Sequence, residues 1–335
     1  MDSPPLTAAP AAATQHAGCR CGFSSCIDVH HHMLPPRYVE DARERLIGNA
    51  PAFADVLRWT PARALETMER NGIDTTVLSL TQPGLRFEDI EATRAMIRYC
   101  NEYGAELVRD HPGKFGFFAT LPLTDIDGSL REIEYAFDTL KADGVGLLTS
   151  YGNRWPGHGD FDPVFDELNR RKAVAFFHPN TPACCVNLIP DLTSPILEYL
   201  FNTARAIASL IVSGTLSRLP DLTCIFCHAG GALTPQMRRL VRAVDGNPKL
   251  KERVPGGAMA EIRKLFYDTA QSADPENLGA LLNLVPDTQI LFGTDYPYLQ
   301  PPVTIEPMKD LRFDAERMQA IARDNALRLF PRLRG

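Results

Sequence analysis

Short runs of β-branched and aromatic residues alternate along this chain with longer stretches whose apolar positions recur at helical spacing. The runs are Cys26 to His30, Thr75 to Leu80, Phe115 to Thr120, Val145 to Thr149, Ala173 to His178, Leu222 to His228, Leu265 to Thr269 and Ile290 to Thr294. None looks like a hairpin partner of the next, so the rhythm is βαβα and the sheet it predicts is parallel. Eight such units imply a closed (β/α)8 TIM barrel of the α/β class.

Helices are expected over Pro61 to Asn71, Glu88 to Asp110, Ser129 to Ala142, Pro163 to Arg171, Ser194 to Leu219, Pro235 to Val244, Pro275 to Leu284 and Asp314 to Phe330. Thr60-Pro61, Asp162-Pro163 and Asp274-Pro275 each place proline near a first turn after a capping side chain. Trp155 to Asp160, Pro179 to Thr193 and Tyr296 to Pro307 are longer, Pro-rich loops directly after strands, where a barrel builds its active-site rim. Met1 to Ser24 is rich in Ala and Pro without a sustained apolar core. It reads as a disordered leader, not a secretory signal, and leaves 25–335 as one barrel domain.

Composition removes several function classes. The net charge is −6 and no dense Lys/Arg block occurs, so nothing resembles a phosphate-backbone binding surface for nucleic acid. Apolar runs such as Ala206 to Val212 are far shorter than the roughly 20 residues needed to cross a bilayer, so no membrane span is expected. Eight cysteines are spread through the chain, several in apolar strands, which fits a reducing cytoplasm better than a disulfide framework. Cys224-x-x-Cys227 has redox spacing, but strand positions three apart face opposite sides.

The candidate chemistry lies at strand ends. In Cys26-Ile27-Asp28-Val29-His30-His31-His32, strand alternation puts His30 and His32 on one face, as half of a transition-metal site. His31 is expected to point away, and Asp28 to share the His30 face one layer deeper as an orienting group. The fifth run ends in His178-Pro179, the sixth in His228-Ala229-Gly230-Gly231 and the eighth in Gly293-Thr294-Asp295-Tyr296-Pro297. If the barrel closes, His30, His32, His178, His228 and Asp295 converge on its C-terminal mouth.

These motifs, with Leu34-Pro35-Pro36 after the histidines, resemble the amidohydrolase superfamily, and more narrowly its branch typified by aminocarboxymuconate-semialdehyde decarboxylase. Gly144 to Gly152, Cys184-Cys185 and Phe266 to Ala270 are most similar to the salicylate-type decarboxylases, such as those acting on 6-methylsalicylate. The resemblance implies His30, His32, His178 and Asp295 as metal ligands and His228 as the acid/base residue, with Asp295 sharing the proton relay. Val145 to Thr149 lacks the lysine used by the binuclear branch, so one divalent ion is expected, Zn²⁺ first and Mn²⁺ as an alternative, with no organic cofactor.

The reaction so implied is non-oxidative decarboxylation of a salicylate-type acid, a lyase activity. A hydrolase using the same ion against a lactone or amide is the runner-up, and a barrel serving only as a scaffold is a third reading. For the substrate, Arg239 is implied to grip a carboxylate from a neighbouring subunit, which carries the expectation of a homodimer; Arg238 competes for that register. Both arginines fit a solvated helix face equally well. Arg58 is a second candidate, and Tyr151, Trp155, Tyr296 and Tyr298 are candidates to sandwich the ring or simply to pack beneath the rim. His158 is a rim candidate, while His16 and His111 need no catalytic role.

Overall fold

The computed structural model describes residues 25–47, 51–80, 85 and 89–334. The expected leader, with Cys19, Cys21 and His16, and the start of the helix expected from Glu88 lie outside the described residues.

Eight parallel strands follow one another in sequence order around a barrel: β1 (Ile27–Met33), β2 (Thr75–Leu80), β3 (Phe115–Thr120), β4 (Gly144–Leu148), β5 (Val174–His178), β6 (Thr223–Phe226), β7 (Phe266–Asp268) and β8 (Ile290–Leu291). The helices that bear on the site are α1 (Pro36–Ile47), α2 (Pro61–Asn71), α3 (Ile90–Asp110), α4 (Ile126–Glu134), α5 (Asp162–Arg170), α6 (Ser194–Val212), α7 (Thr215–Arg218) and α8 (Leu233–Asp245).

Local chemistry sets the ends of these elements. At the start of α2, Thr60 Oγ1 accepts the Arg63 backbone N–H at 3.2 Å, and the helix stops at Gly72 in the left-handed region. The helix expected from Ser194 to Leu219 is divided into α6 and α7 at Gly214, where φ is 80° and an added Cβ would lie 2.9 Å from the Arg253 carbonyl. The expected helix over Asp314 to Phe330 is three consecutive pieces, with a wider turn over Ala320–Asp324 in its middle. Charged α1 was not expected; it buries Tyr38, Ala42 and Leu46, a narrow stripe at i, i+4 and i+8.

Two apolar layers follow from strand alternation. Leu78, Phe117, Ala175, Phe177, Phe226 and Tyr267 pack outward against helix residues such as Met68, Leu107, Phe165 and Leu210. Ile27, Val29, Val77, Phe118, Phe176, Ile225 and Leu291 pack inward, together with C-terminal Ala326, Phe330 and Leu333. Cys224 belongs to the outer layer and Cys227 to the inner, and both are free thiols, so the pair does not form a disulfide.

The seam between the first and last strands is closed by backbone bonds that run past the end of β8. Val29 N–H donates to Phe292 O at 2.9 Å, Asp295 N–H to His30 O at 2.8 Å, and His32 N–H to Tyr296 O at 2.7 Å. The β1–β2 register shifts between Asp28 and His31. Ile27 and Val29 therefore point into the barrel and yet His30 and His32 do so as well, because the irregularity resets the alternation.

Candidate metal centre

His30 and His32 on β1, His178 at the end of β5 and Asp295 after β8 bring four potential ligand atoms within 4.8 Å of one another, all four side chains buried. His30 Nε2 and His32 Nε2 are 3.2 Å apart, and Asp295 Oδ1 lies 3.0 Å from His32 Nε2 and 3.3 Å from His30 Nε2. Each imidazole is fixed from behind. His30 Nδ1 meets Asp268 Oδ2 at 2.9 Å, His32 Nδ1 meets Ser79 Oγ at 2.9 Å, and His178 Nδ1 meets the Pro179 carbonyl at 2.8 Å. With Nδ1 engaged in each case, the Nε2 lone pairs are left to converge on one point, an arrangement that repels itself unless a proton or a cation fills it. That donor set, three imidazoles and one carboxylate with outer partners in place, fits a divalent ion.

The electrostatics match. Burial, reinforced by the neighbouring imidazoles, pushes His178 well below the ordinary imidazole pKa, and burial also lowers His32, so both present lone pairs. Burial disfavours the Asp295 carboxylate, yet the charge on His30 and the bonds from His228, His30 and His32 outweigh it and hold the group well below the usual carboxylate range. For His30 the balance runs the other way: burial lowers it, but Cys227, Asp268 and Asp295 together raise it well above the ordinary value.

His228 follows β6 and stands at the edge of the cluster, with Nε2 3.4 Å from Asp295 Oδ2 and its buried Nδ1 without a hydrogen-bond partner. Gln271 donates its side-chain N–H to the same Asp295 oxygen. His228, Gln271 and Asp295 all hold left-handed backbone conformations, with φ of 55°, 53° and 64°. Such residues cost on the order of 1–3 kcal/mol each and collect at functional sites. Gly293 admits His30: an added Cβ would lie 2.8 Å from His30 Cβ and 3.1 Å from Asp268 Cβ.

A cavity of about 770 Å³ opens from this cluster, lined at its inner end by His178, His228, Gln271 and Asp295. Tyr199 and Tyr298 supply aromatic wall, their rings 6.2 Å from His178 and 5.7 Å from His32. Burial raises the Tyr199 phenol, which keeps it protonated as a donor.

The structure brings together His30, His32, His178, His228 and Asp295, keeps Tyr298 on the cavity wall, and places Arg58, Arg239, Tyr151, Trp155 and Tyr296 elsewhere. Arg58 is exposed and 3.4 Å from Asp55, and Arg239 is exposed on α8; neither lines this cavity. The Tyr151 hydroxyl accepts the Leu148 N–H at 2.9 Å, and Trp155 Nε1–H donates to Asn202 Oδ1 at 2.8 Å, so both support the rim from beneath. Tyr296 lies against His31 at 4.8 Å between ring centres, and its hydroxyl accepts from Thr67 Oγ1 at 3.3 Å. Tyr298 is the rim tyrosine that reaches the wall. Asp28 holds the seam and not the cluster: Oδ1 accepts the N–H groups of His30 and Thr294, and Oδ2 the Thr294 hydroxyl at 2.6 Å. His31 turns away as expected and accepts from Trp59 Nε1 at 3.4 Å.

Sequence reasoning missed Ser79, Asp268, Gln271 and Tyr199. Asp268 had a readable signal, since it ends a strand as His178 does; the other three had none.

The amidohydrolase family model matches residues 27–332. The chain belongs to the amidohydrolase family. Relatives at 34–38% identity that are named decarboxylases put it, within this family, in the decarboxylase branch, as a carboxy-lyase. It is 38% identical over 326 residues to the decarboxylase yanB of Aspergillus niger, covering 91% of this chain and 87% of that one. It is 34% identical over 316 residues to the 6-methylsalicylic acid decarboxylase of Penicillium expansum, covering 92% and 97%. A solved dihydroxybenzoic acid decarboxylase from Polaromonas sp., with bound manganese and 2-nitroresorcinol, shares the fold with a TM-score of 0.77 at 20% identity, over 93% of this chain and 98% of that one.

Proposed function

We propose that this amidohydrolase is a metal-dependent, non-oxidative decarboxylase of a salicylate-type aromatic acid such as 6-methylsalicylate. The observation that carries the reading is His228: a cavity-lining imidazole beside, and separate from, a complete set of three imidazoles and a carboxylate. His30, His32 and His178 through Nε2, with Asp295, would hold one divalent ion. We favour Zn²⁺ for this nitrogen-rich, four-donor set, with Mn²⁺, present in the Polaromonas structure, as the alternative. When bound there, such an ion supplies Lewis-acid anchoring for oxygen donors.

The protein residues then do the remaining work. His228 Nε2, at the cavity wall and 3.4 Å from Asp295 Oδ2, holds a proton and delivers it to the ring carbon bearing the carboxylate. That carbon becomes tetrahedral, the bond to the carboxylate breaks, its electrons restore the aromatic ring, and CO₂ leaves. No organic cofactor enters this sequence. Gln271 and His228 hold one oxygen of Asp295.

The reading includes a homodimer in which Arg239, exposed on α8, serves the partner copy's cavity. It includes a cytoplasmic setting, where the six free cysteines among the described residues stay reduced. No helix of the described residues is long and apolar enough to cross a membrane.

The test is turnover of salicylate and 6-methylsalicylate by metal-loaded, full-length protein in deuterated water. CO₂ release with deuterium on the vacated ring carbon is the expected result. Labelled water oxygen in a new carboxylate from a lactone or amide, with no CO₂ from either salicylate, would replace it with the hydrolase reading.

A further inference from the structure

The cavity exceeds what a single small ring needs. About 770 Å³ falls within the roughly 300–1,000 Å³ that encloses a drug-sized ligand, several times the bulk of one substituted benzoate. Its two ends differ in chemistry. The inner end carries His178, His228 and Asp295, whereas the outer wall carries Val186, Ile189 and Leu192 from the segment between β5 and α6, Ile196 in the first turn of α6, and Leu46 at the end of α1. The first four are 57%, 48%, 38% and 59% exposed, a cluster of large aliphatic side chains open to water on the same cavity that reaches the ligand set. The charge at this outer end is already committed or of the wrong sign for an anion: Arg45 Nη2 is 2.7 Å from Asp41 Oδ2, and Asp191 is acidic.

We propose that the substrate accepted by this site is a salicylate bearing an apolar tail, a pentyl or longer alkyl chain, with its head at the cluster and its tail along Val186, Ile189, Leu192 and Ile196. The head assignment rests on the decarboxylase reading; the tail rests on the wall. The reaction balances with no added reagent: the ring-to-carboxylate bond breaks, CO₂ departs, a proton takes its place, and the product is an alkylphenol. Continuity of the cavity supplies the argument for one occupant, because a ring anchored at the inner end has the aliphatic wall as its outlet. Covering that wall by the substrate's own chain removes exposed apolar surface from water.

The experiment is a chain-length series on metal-loaded, full-length protein: salicylate and its 6-methyl, 6-propyl, 6-pentyl and 6-heptyl derivatives. CO₂ release gives kcat and KM, and calorimetry gives Kd for each acid and each phenol product. KM and Kd are expected to fall about two- to fourfold per methylene covered, with kcat changing little. Ile189→Asp and Ile196→Asp, both at exposed positions, are expected to flatten the series. KM flat or rising with chain length in a protein that turns over salicylate would overturn the tail, as would an undiminished slope in both folded variants. If no acid is decarboxylated yet Kd still tightens with length, the tail stands and the decarboxylase reading falls; if Kd is flat as well, the tail falls too.

Discussion

Asp268 Oδ2 lies 2.9 Å from His30 Nδ1, while its other oxygen accepts the backbone N–H of His228 at 2.9 Å and of Ala270 at 3.0 Å. One buried carboxylate thus sets the ring of a proposed ligand and the backbone of the proposed acid/base residue. Burial raises its pKa, but His30 outweighs that and keeps it ionised. Asp268→Asn keeps the size and loses the charge. Metal affinity is expected to fall about 10- to 100-fold, as for other groups that orient a ligand, measured by competition with a chromogenic chelator.

His228→Ala separates binding from chemistry. Metal content should stay at the level of the unsubstituted protein, because His228 lies outside the ligand set. Turnover should fall by about 10²-fold or more, the usual scale for an acid/base group. Metal analysis and CO₂ release on the same sample read both; an unchanged rate would remove His228 from the proton step.

Gly293→Ala addresses the crowding behind His30. The added methyl would sit 2.8 Å from His30 Cβ and 3.1 Å from Asp268 Cβ, and neither is the end of a flexible chain. The strand must shift, at a cost of about 1–3 kcal/mol, typical of overpacking a filled interior. A lowered thermal midpoint together with weaker metal binding is expected; a loss of stability with metal affinity intact would show that the shift spares the ligands.

Glu167 on α5 accepts from Arg170 at 2.7 Å and from Arg171 at 2.6 Å, and Arg171 also bonds Asp138. The Arg170 bond, followed by Arg171, outweighs partial burial and pulls the Glu167 pKa down to about 2. A carboxyl that is more acidic folded than unfolded adds stability above its ordinary pKa, and loses it as pH falls from about 5 towards 2. The group is half-buried, so the contribution is about 1 kcal/mol at most. Glu167→Gln should therefore lower the urea midpoint at neutral pH, and the difference from the unsubstituted protein should shrink on acidification through that window.

Much of the barrel was legible because its signals are local. The limits of β2, β3 and α2 agree with the periodicity, since a β-branched run marks β2, an aromatic run marks β3, and Thr60-Pro61 and Gly72 bound α2. The five convergent residues were legible because a parallel barrel sends every strand end to one mouth. What the sequence hid depends on partners. The reset of alternation in β1 arises from its pairing with β2, so Asp28, placed by simple alternation beside His30, instead holds Thr294. Tyr199 lies within α6 and reads as one more apolar-face residue, although it lines the cavity. Arg58 stood at a suggestive position, but its rim segment leaves it in solvent beside Asp55.

The bonds that shut the cylinder and the groups that would grip the ion belong to the same few residues: His30 O and His32 N–H pair with Asp295 N–H and Tyr296 O, while His32 and Asp295, 263 positions apart, point their side chains to one centre. An ion seated there is a buckle joining the two extremities of the fold, and its binding energy is added to the stability of the whole wall. Chelation should consequently loosen the first and last strands together, visible as faster amide exchange along Ile27–Met33 and Ile290–Leu291.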